Sequence, residues 1–222
     1  MGKLILKGLV KLILGVILIS FLLFLPVDSL NYTSGWLFIG VLIISMLIVG
    51  LFLIIKNPSL LEKRLNVKEK EKTQKIVIKL SGLMFILGFV LAGLSYRFKW
   101  IMLPLPVCFV ASIFFLIFYG LYMQVMRENT FLSRTIEIQE NQKGVDTGLY
   151  GIVRHPLYSV TVMMFIIIPF ILGSVVSIPV FLVYPFIIAN RIKNEEKVLE
   201  KGLEGYKEYK GKVKYRLMPY IW

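Results

Sequence analysis

The chain has 222 residues, of which 57% are hydrophobic and only 18% are charged. This composition excludes an ordinary soluble globular domain, and the length suits one domain rather than two. The net charge of +13 does not by itself indicate nucleic-acid binding. Basic residues beside apolar runs are also typical of membrane topology and of contact with anionic headgroups.

Five uncharged runs predict helices that cross a membrane. They cover residues 12–27, 29–55, 80–96, 100–126 and 156–190. Because a helix needs about 20 apolar residues to cross the hydrocarbon core, each of the first four runs suits one crossing. The N-terminal run lacks a small-residue cleavage motif, so we expect a retained helix rather than a signal peptide.

The last run, 156–190, has 35 residues and is too long for one crossing, since such a helix would measure about 52 Å. Its centre holds five residues that break helices, namely Pro169, Gly173, Ser174, Ser177 and Pro179. We therefore predict a hairpin of two short spans that turns near 173–177, and six crossings in all. Five crossings with a re-entrant element is the alternative.

The basic residues predict the orientation. Of the 26 Lys and Arg residues, 24 lie in the N-terminus, the 56–79 loop, the 127–155 loop and the 191–222 tail, and only Arg97 and Lys99 lie on the other side. The positive-inside rule then places both termini and both large loops in the cytoplasm. The predicted fold is an all-α, polytopic transmembrane helical bundle of about six spans, with cytoplasmic termini.

Two polar segments separate the apolar runs. The connector 56–75 is rich in charge, and we expect it to be helical on the membrane surface, with a solvated loop as the alternative. In 135–150, Ile136 and Ile138 alternate with polar residues before a turn. This pattern indicates a small ordered loop that covers another part of the protein.

The tail 191–222 is expected to continue the last span. Leu199, Leu203 and Tyr206 fall at i, i+4 and i+7, which predicts a C-terminal interfacial amphipathic helix. Gly202 and Gly205 weaken that helix.

Candidate chemistry concentrates in one cluster. One histidine, His155, and one cysteine, Cys108, cannot furnish a zinc or haem site, and the sequence has neither a dinucleotide fingerprint nor a P-loop. The hairpin would instead bring together the ionisable groups at its two cytosolic ends, which at a membrane boundary indicate a functional site. These groups are Arg154, His155 and Tyr158 at one end, and Asn190, Arg191, Glu195 and Glu196 at the other.

Local spacing supports this cluster. Pro156 suits the first turn of a helix, and His155 and Tyr158, three positions apart, share a face. Arg191 and Glu195, four positions apart, can pair on their helix.

The motifs of the C-terminal half resemble the isoprenylcysteine carboxyl methyltransferase and phospholipid methyltransferase superfamily, a group of integral-membrane methyltransferases. They are G-L-Y at 148–150, R-H-P-L-Y at 154–158, R-I-K-N-E-E at 191–196, G-Y-K-E-Y at 205–209 and Y-R-L-M-P at 215–219. N-P-S-L-L-E-K-R at 57–64 and N-T-F-L-S-R-T-I-E-I-Q at 129–139 are similar to bacterial members. The resemblance covers roughly 120–222 and implies one integral-membrane domain, 1–222, with 1–125 on the acceptor side and 126–222 as the cofactor-binding core.

The resemblance implies S-adenosylmethionine as cofactor, in a cytosolic-face pocket. It implies that Gln139 and the backbone of Gly148, Leu149 and Tyr150 contact the cofactor. The methionine carboxylate would be held by Arg154, His155 and Tyr158. The ribose or the amino end of the cofactor would be held by Glu196. Arg191 and Glu195 are implied to lie toward the acceptor as catalytic residues. No metal is implied.

The implied reaction is methyl transfer to a lipophilic acceptor that enters from the bilayer, with an isoprenylcysteine-like carboxylate favoured and a lipid amine or small thiol as alternatives. An amine must first lose a proton, and Glu195 is the nearest candidate base. Two other classes stay open: a nicotinamide-dependent oxidoreductase like the sterol reductases, and a non-catalytic lipid-binding scaffold. The Lys- and Ile-rich composition is compatible with a bacterial plasma membrane.

Overall fold

This computed structural model describes residues 1–65, 72–132 and 144–222, without the side chains of 72 and 73. In these residues the fold is built from helices. The helices are α1 (Gly2–Val27), α2 (Thr33–Lys56), α3 (Pro58–Leu65), α4 (Lys72–Arg97), α5 (Leu105–Glu128), α6 (Pro156–Ile171), α7 (Ile178–Phe181), α8 (Tyr184–Gly202) and α9 (Tyr206–Lys212), with a 3-10 turn at Gly148–Gly151 before α6. The all-α prediction is confirmed for this part of the chain, in which Met102 and Ser174 form an isolated bridge.

Four of these helices, α1, α2, α4 and α5, are long and apolar enough to cross a membrane. They correspond to the first four predicted spans. The predicted fifth run is divided: α6 has 16 residues, and α8 begins only at Tyr184. The break lies at 172–177, where the sequence predicted a turn, while the count of six crossings stays a prediction.

The turn after α6 is held by the start of α2 and by the connection between α4 and α5. Gly173 has φ +69°, a left-handed conformation that glycine adopts without steric cost, and its carbonyl accepts a hydrogen bond from the Leu103 amide at 2.8 Å. The Leu172 carbonyl accepts hydrogen bonds from the Tyr32 hydroxyl at 2.7 Å and the Ser34 hydroxyl at 3.0 Å. These bonds satisfy backbone groups that would otherwise be buried without partners.

Aromatic side chains fill the centre between α2, α4, α5, α6 and α7. Phe85, for example, meets Phe165 edge-on at 4.7 Å between ring centroids and Phe181 at 5.9 Å. A Cβ at Gly88 would lie 2.5 Å from the Phe181 ring, so a glycine is required for this approach. By contrast, α1 exposes large apolar side chains such as Ile13, Ile17 and Phe21, as expected of a helix that faces lipid.

At the other end of the bundle, the first part of the basic connector forms α3 and packs against α1 and α5. Asn57 caps α3, since its side-chain oxygen accepts a hydrogen bond from the Leu60 amide at 3.0 Å. The Lys11 ammonium donates to the Leu65 carbonyl, and the Arg64 guanidinium donates to the Tyr122 hydroxyl. The predicted connector helix is therefore confirmed over 58–65, and its part at 66–71 lies outside the described residues.

The tail differs from one continuous amphipathic helix. As predicted, α8 continues the last apolar run, but it ends at Gly202. Leu203 is extended and Gly205 is left-handed, with φ +76°, before α9 begins. The two glycines thus break the helix rather than merely weaken it.

Candidate functional site

The turn before α6 is clamped by the end of α5. Gly148 has φ +58°, and a Cβ there would lie 2.5 Å from a Glu128 carboxylate oxygen. The other oxygen of Glu128 accepts a hydrogen bond from the Leu149 amide at 2.9 Å. The Asn129 amide donates to the Tyr150 hydroxyl at 3.1 Å. A glycine at 148 is therefore needed both for the backbone conformation and for the approach of this carboxylate.

The start of α6 is held by the tail of the chain. The Arg154 amide donates to the Tyr215 carbonyl at 2.9 Å, and the His155 amide donates to the Arg216 carbonyl at 3.0 Å. Pro156 occupies the first turn of α6, where its missing N–H costs nothing. These contacts place the R-H-P motif and the Y-R-L motif side by side.

Glu196 binds three cationic or potentially cationic groups. One carboxylate oxygen lies 2.8 Å from Arg154 Nε and 3.4 Å from His155 Nε2, and the other lies 2.9 Å from Arg216 Nε. Burial alone would raise the pKa of Glu196, but the close approach of His155 and the hydrogen bonds from Arg154 and Arg216 outweigh it and hold that pKa at about 2. Glu196 is therefore a buried carboxylate that joins α6, α8 and the tail.

Arg154 is occupied by the protein as well. Besides Glu196, its guanidinium donates to the backbone carbonyls of Val213 and Lys214, each at 2.7 Å. Its side chain is only 3% exposed. This geometry favours a role in holding the wall of the site.

Tyr158 links two ionisable groups of α8. Its hydroxyl accepts a hydrogen bond from Arg191 Nε at 2.8 Å and donates one to the Glu195 carboxylate at 2.5 Å. The His155 ring stacks on Tyr158 with 5.7 Å between centroids. Arg191 also donates from Nη1 to the side-chain oxygen of Gln74 on α4, at 2.9 Å. A polar chain thus runs from α4 through α8 to α6.

These groups border a cavity of about 270 Å³. Its polar wall includes Arg154, His155, Tyr158, Arg191 and Glu195, its acidic rim includes Asp146 and Glu204, and its apolar wall includes Leu132, Leu157, Val198, Leu199 and Leu203. The lining also includes one amide and three phenol side chains, those of Asn129, Tyr150, Tyr206 and Tyr209. The stripe Leu199, Leu203 and Tyr206, which the sequence assigned to a membrane interface, therefore lines this cavity.

Two buried polar atoms at this site have no hydrogen-bonding partner among the described residues. They are the Tyr206 hydroxyl and His155 Nε2, which lies 3.4 Å from Glu196 Oε1 without making a hydrogen bond to it. Tyr206 is 5% exposed, and burial raises the pKa of its hydroxyl. Because an unpaired buried polar group costs about 1–3 kcal/mol, the Tyr206 hydroxyl is suited to a bound ligand.

The sequence-predicted residues fall into three groups. Tyr150, Arg154, His155, Tyr158, Arg191 and Glu195 line the cavity. Gly148, Leu149 and Glu196 stand behind its wall, in the turn and the ion cluster described above. Gln139 lies outside the described residues. Arg191 and Glu195, predicted to pair on their helix, are bridged by the Tyr158 hydroxyl.

Sequence reasoning assigned no place in the functional site to Gln74, Glu128, Asn129, Tyr206, Tyr209 or Arg216. Asn129, Tyr206, Tyr209 and Arg216 stand inside the quoted motifs, so the motifs were the signal that could have found them. Gln74 lies at the end of the Lys-rich connector 56–75, where nothing in the local pattern marks a buried side chain.

The comparison with known protein families agrees with the motifs. Residues 109–201 match the family model described as "Isoprenylcysteine carboxyl methyltransferase (ICMT) family". A comparison with curated proteins gave no match. The family match confirms the resemblance to the isoprenylcysteine carboxyl methyltransferase superfamily.

Proposed function

We propose, from the isoprenylcysteine carboxyl methyltransferase-like core at 109–201, that this membrane protein transfers a methyl group from S-adenosylmethionine to a lipophilic acceptor. The favoured acceptor is the carboxylate of an isoprenylcysteine-like molecule. The reaction takes place at the cytosolic face, where most of the basic residues are expected to lie. The observation that carries the proposal is the mixed wall of the cavity at the R-H-P turn.

The chemistry of this wall fits the cofactor. Its amino-acid end has a carboxylate and an ammonium, for which His155 on one side and Glu195 on the other are complementary. Its ribose and adenine carry hydroxyl and ring groups, which suit the unpartnered Tyr206 hydroxyl and the apolar wall that includes Leu199.

When bound, S-adenosylmethionine supplies a methyl group already activated by its sulfonium, so that an acceptor oxygen displaces it to give a methyl ester and S-adenosylhomocysteine. The protein has to orient the acceptor behind the methyl and exclude water. Arg191 is placed for the first task, since Tyr158 and Gln74 fix its guanidinium from two sides. No proton has to be removed from a carboxylate acceptor.

Glu195 is the group that a different acceptor would use. Its side chain is 25% exposed, it lines the cavity, and it accepts a hydrogen bond from Tyr158. A lipid amine would need such a base before transfer. A methyl acceptor test should therefore include an amine beside the carboxylate.

The experiment is calorimetric titration of the purified protein, in detergent and in nanodiscs, with S-adenosylhomocysteine and, separately, with NADPH. We expect micromolar binding of S-adenosylhomocysteine and at least tenfold weaker binding by His155→Ala. Ser95→Ala is the matched control, because it removes a buried hydrogen bond to Ser174 at the other end of the bundle. Binding of NADPH alone would favour an oxidoreductase, and binding of neither by a folded protein would favour a lipid-binding scaffold.

A further inference from the structure

Gln74 is a buried polar residue of α4 that the proposed chemistry has so far used only as a support for Arg191. Its side chain has 0% exposure. Its oxygen accepts the hydrogen bond from Arg191 Nη1 at 2.9 Å. A guanidinium can only donate, so the amide oxygen has to face Arg191 and the amide nitrogen has to face away from it.

That amide nitrogen, Gln74 Nε2, has no hydrogen-bonding partner in the described part of the chain. Leaving a buried donor unpaired costs about 1–3 kcal/mol. A side chain that served only to hold Arg191 would need an acceptor oxygen and no amide donor. The unsatisfied donor is therefore better explained by a ligand atom that binds there.

Arg191 connects this position to the cavity. It lines the cavity on one side and contacts Gln74 through Nη1. Gln74 comes from α4, in the acceptor-side half of the chain, and stands behind Arg191, whereas the lining of the cavity comes from α6, α8, α9 and the segments between α5 and α6 and between α8 and α9. The two donors thus stand where the two halves of the protein meet.

We propose that Gln74 and Arg191 form an acceptor subsite, in which Gln74 Nε2 donates a hydrogen bond to an oxygen of the methyl acceptor. This inference rests on the proposed function. The groups on offer, an amide N–H pair and a guanidinium, are donors only, so the subsite selects an anionic or carbonyl oxygen and disfavours an ammonium. Because Gln74 is neutral, it orients Arg191 without neutralising its charge.

The test compares Gln74→Glu and Gln74→Leu. Gln74→Glu keeps an oxygen for Arg191 at nearly the same volume but removes the amide donors and adds a negative charge. Gln74→Leu removes both functions. Ser95→Ala is again the matched control, because it deletes another buried hydrogen bond of α4. Melting temperatures in detergent check that each variant is folded.

The probe is N-acetyl-S-farnesylcysteine, with S-adenosylmethionine as methyl donor and S-adenosylhomocysteine binding measured separately by calorimetry. We expect both Gln74 variants to raise the KM for the probe at least tenfold, while their affinity for S-adenosylhomocysteine stays within about twofold of the parent. Ser95→Ala should change neither quantity.

Three results would overturn the subsite. One is a KM in Gln74→Glu equal to that of the parent, since Gln74 would then only position Arg191. Another is an equal loss of cofactor affinity in both variants, which would assign Gln74 to the cofactor side. The third is a parent that binds S-adenosylhomocysteine but does not methylate the probe; that outcome removes the subsite and leaves the cofactor site standing.

Discussion

Arg154 Nε lies 2.8 Å from Glu196 Oε1, and both side chains are almost inaccessible to solvent, at 3% and 4%. The pair joins Arg154, two residues before the start of α6, to the C-terminal half of α8. Arg216 adds the tail of the chain to the same carboxylate. Contacts to Glu196 therefore hold three segments together: the R-H-P turn, the E-E helix and the Y-R-L tail.

Glu196→Gln should destabilise the protein strongly. The substitution keeps the shape of the side chain but leaves the buried Arg154 without its counter-charge, and breaking a buried ion pair costs about 3–5 kcal/mol. We expect a clear fall in the melting temperature in detergent. Glu195→Gln is the neighbouring control and should leave the melting temperature nearly unchanged, because that carboxylate is partly exposed. Equal losses in the two variants would contradict the structural assignment of Glu196.

The same carboxylate predicts a pH dependence. Its pKa is lowered from 4.5 to about 2 in the folded protein, so its contribution to stability is complete above pH 4.5 and is lost as the pH falls toward 2. Unfolding monitored between pH 6 and pH 2 should show this loss in the parent. In Glu196→Gln the corresponding component should be missing, and a parent-like pH profile in that variant would refute the prediction.

Gly148→Ala should disturb the turn. The alanine would have to adopt φ +58° and would bring its Cβ to 2.5 Å from the Glu128 carboxylate. We expect a loss of about 1–3 kcal/mol in stability and weaker binding of S-adenosylhomocysteine. Gly211→Ala is the matched control, since a Cβ there meets nothing within 4 Å and the residue does not line the cavity. If Gly148→Ala binds like the parent, the clamp by Glu128 does not control the cavity.

Tyr206→Phe should separate ligand binding from folding. Its hydroxyl has no partner among the described residues, so its removal should not lower the melting temperature, whereas S-adenosylhomocysteine should bind about 3- to 10-fold more weakly through the loss of one hydrogen bond. Tyr209→Phe should behave differently, because the Tyr209 hydroxyl donates to the Tyr150 carbonyl at 2.8 Å. That variant should lose about 1 kcal/mol of stability.

Tyr158→Phe should slow methyl transfer more than it weakens cofactor binding. The variant keeps the ring that stacks on His155 but deletes the hydroxyl between Arg191 and Glu195. Loss of a hydrogen bond to a charged group lowers a rate or an affinity by about 10- to 100-fold. We expect a decrease of this size in kcat. Steady-state kinetics beside calorimetry provide the check, and an unchanged kcat with a large loss of affinity would place Tyr158 with the cofactor alone.

The sequence predicted those parts of the molecule that depend on local pattern. The four uncharged runs became long helices because apolar length alone determines them, and Gly173 marked the turn because its conformation requires glycine. The sequence also predicted that the cluster around His155 would meet the cluster around Arg191, since a hairpin returns its two ends to the same place.

Long-range partners could not be read from local pattern. The apolar stripe with Leu199 and Leu203 has the same spacing whether it faces lipid or a cavity, so the sequence could not show that it lines the cavity. The resemblance implied a cofactor contact for Glu196, but the local pattern could not show the three basic groups from other segments that surround it. Gln74 stands 117 positions from Arg191, and its burial arises only when α4 packs against α8.

The contact between Gln74 and Arg191 also bears on how such a protein can diversify. The ion cluster around Glu196 and the clamp at Gly148 are built from α5, α8 and the segments that flank α6, whereas Gln74 approaches Arg191 from α4. Substitutions along α4 can therefore change the side chain that contacts Arg191 without disturbing the ion cluster around Glu196. In a set of chimaeras, exchange of residues 72–97 should transfer acceptor preference from one parent to the other while cofactor affinity stays with the recipient.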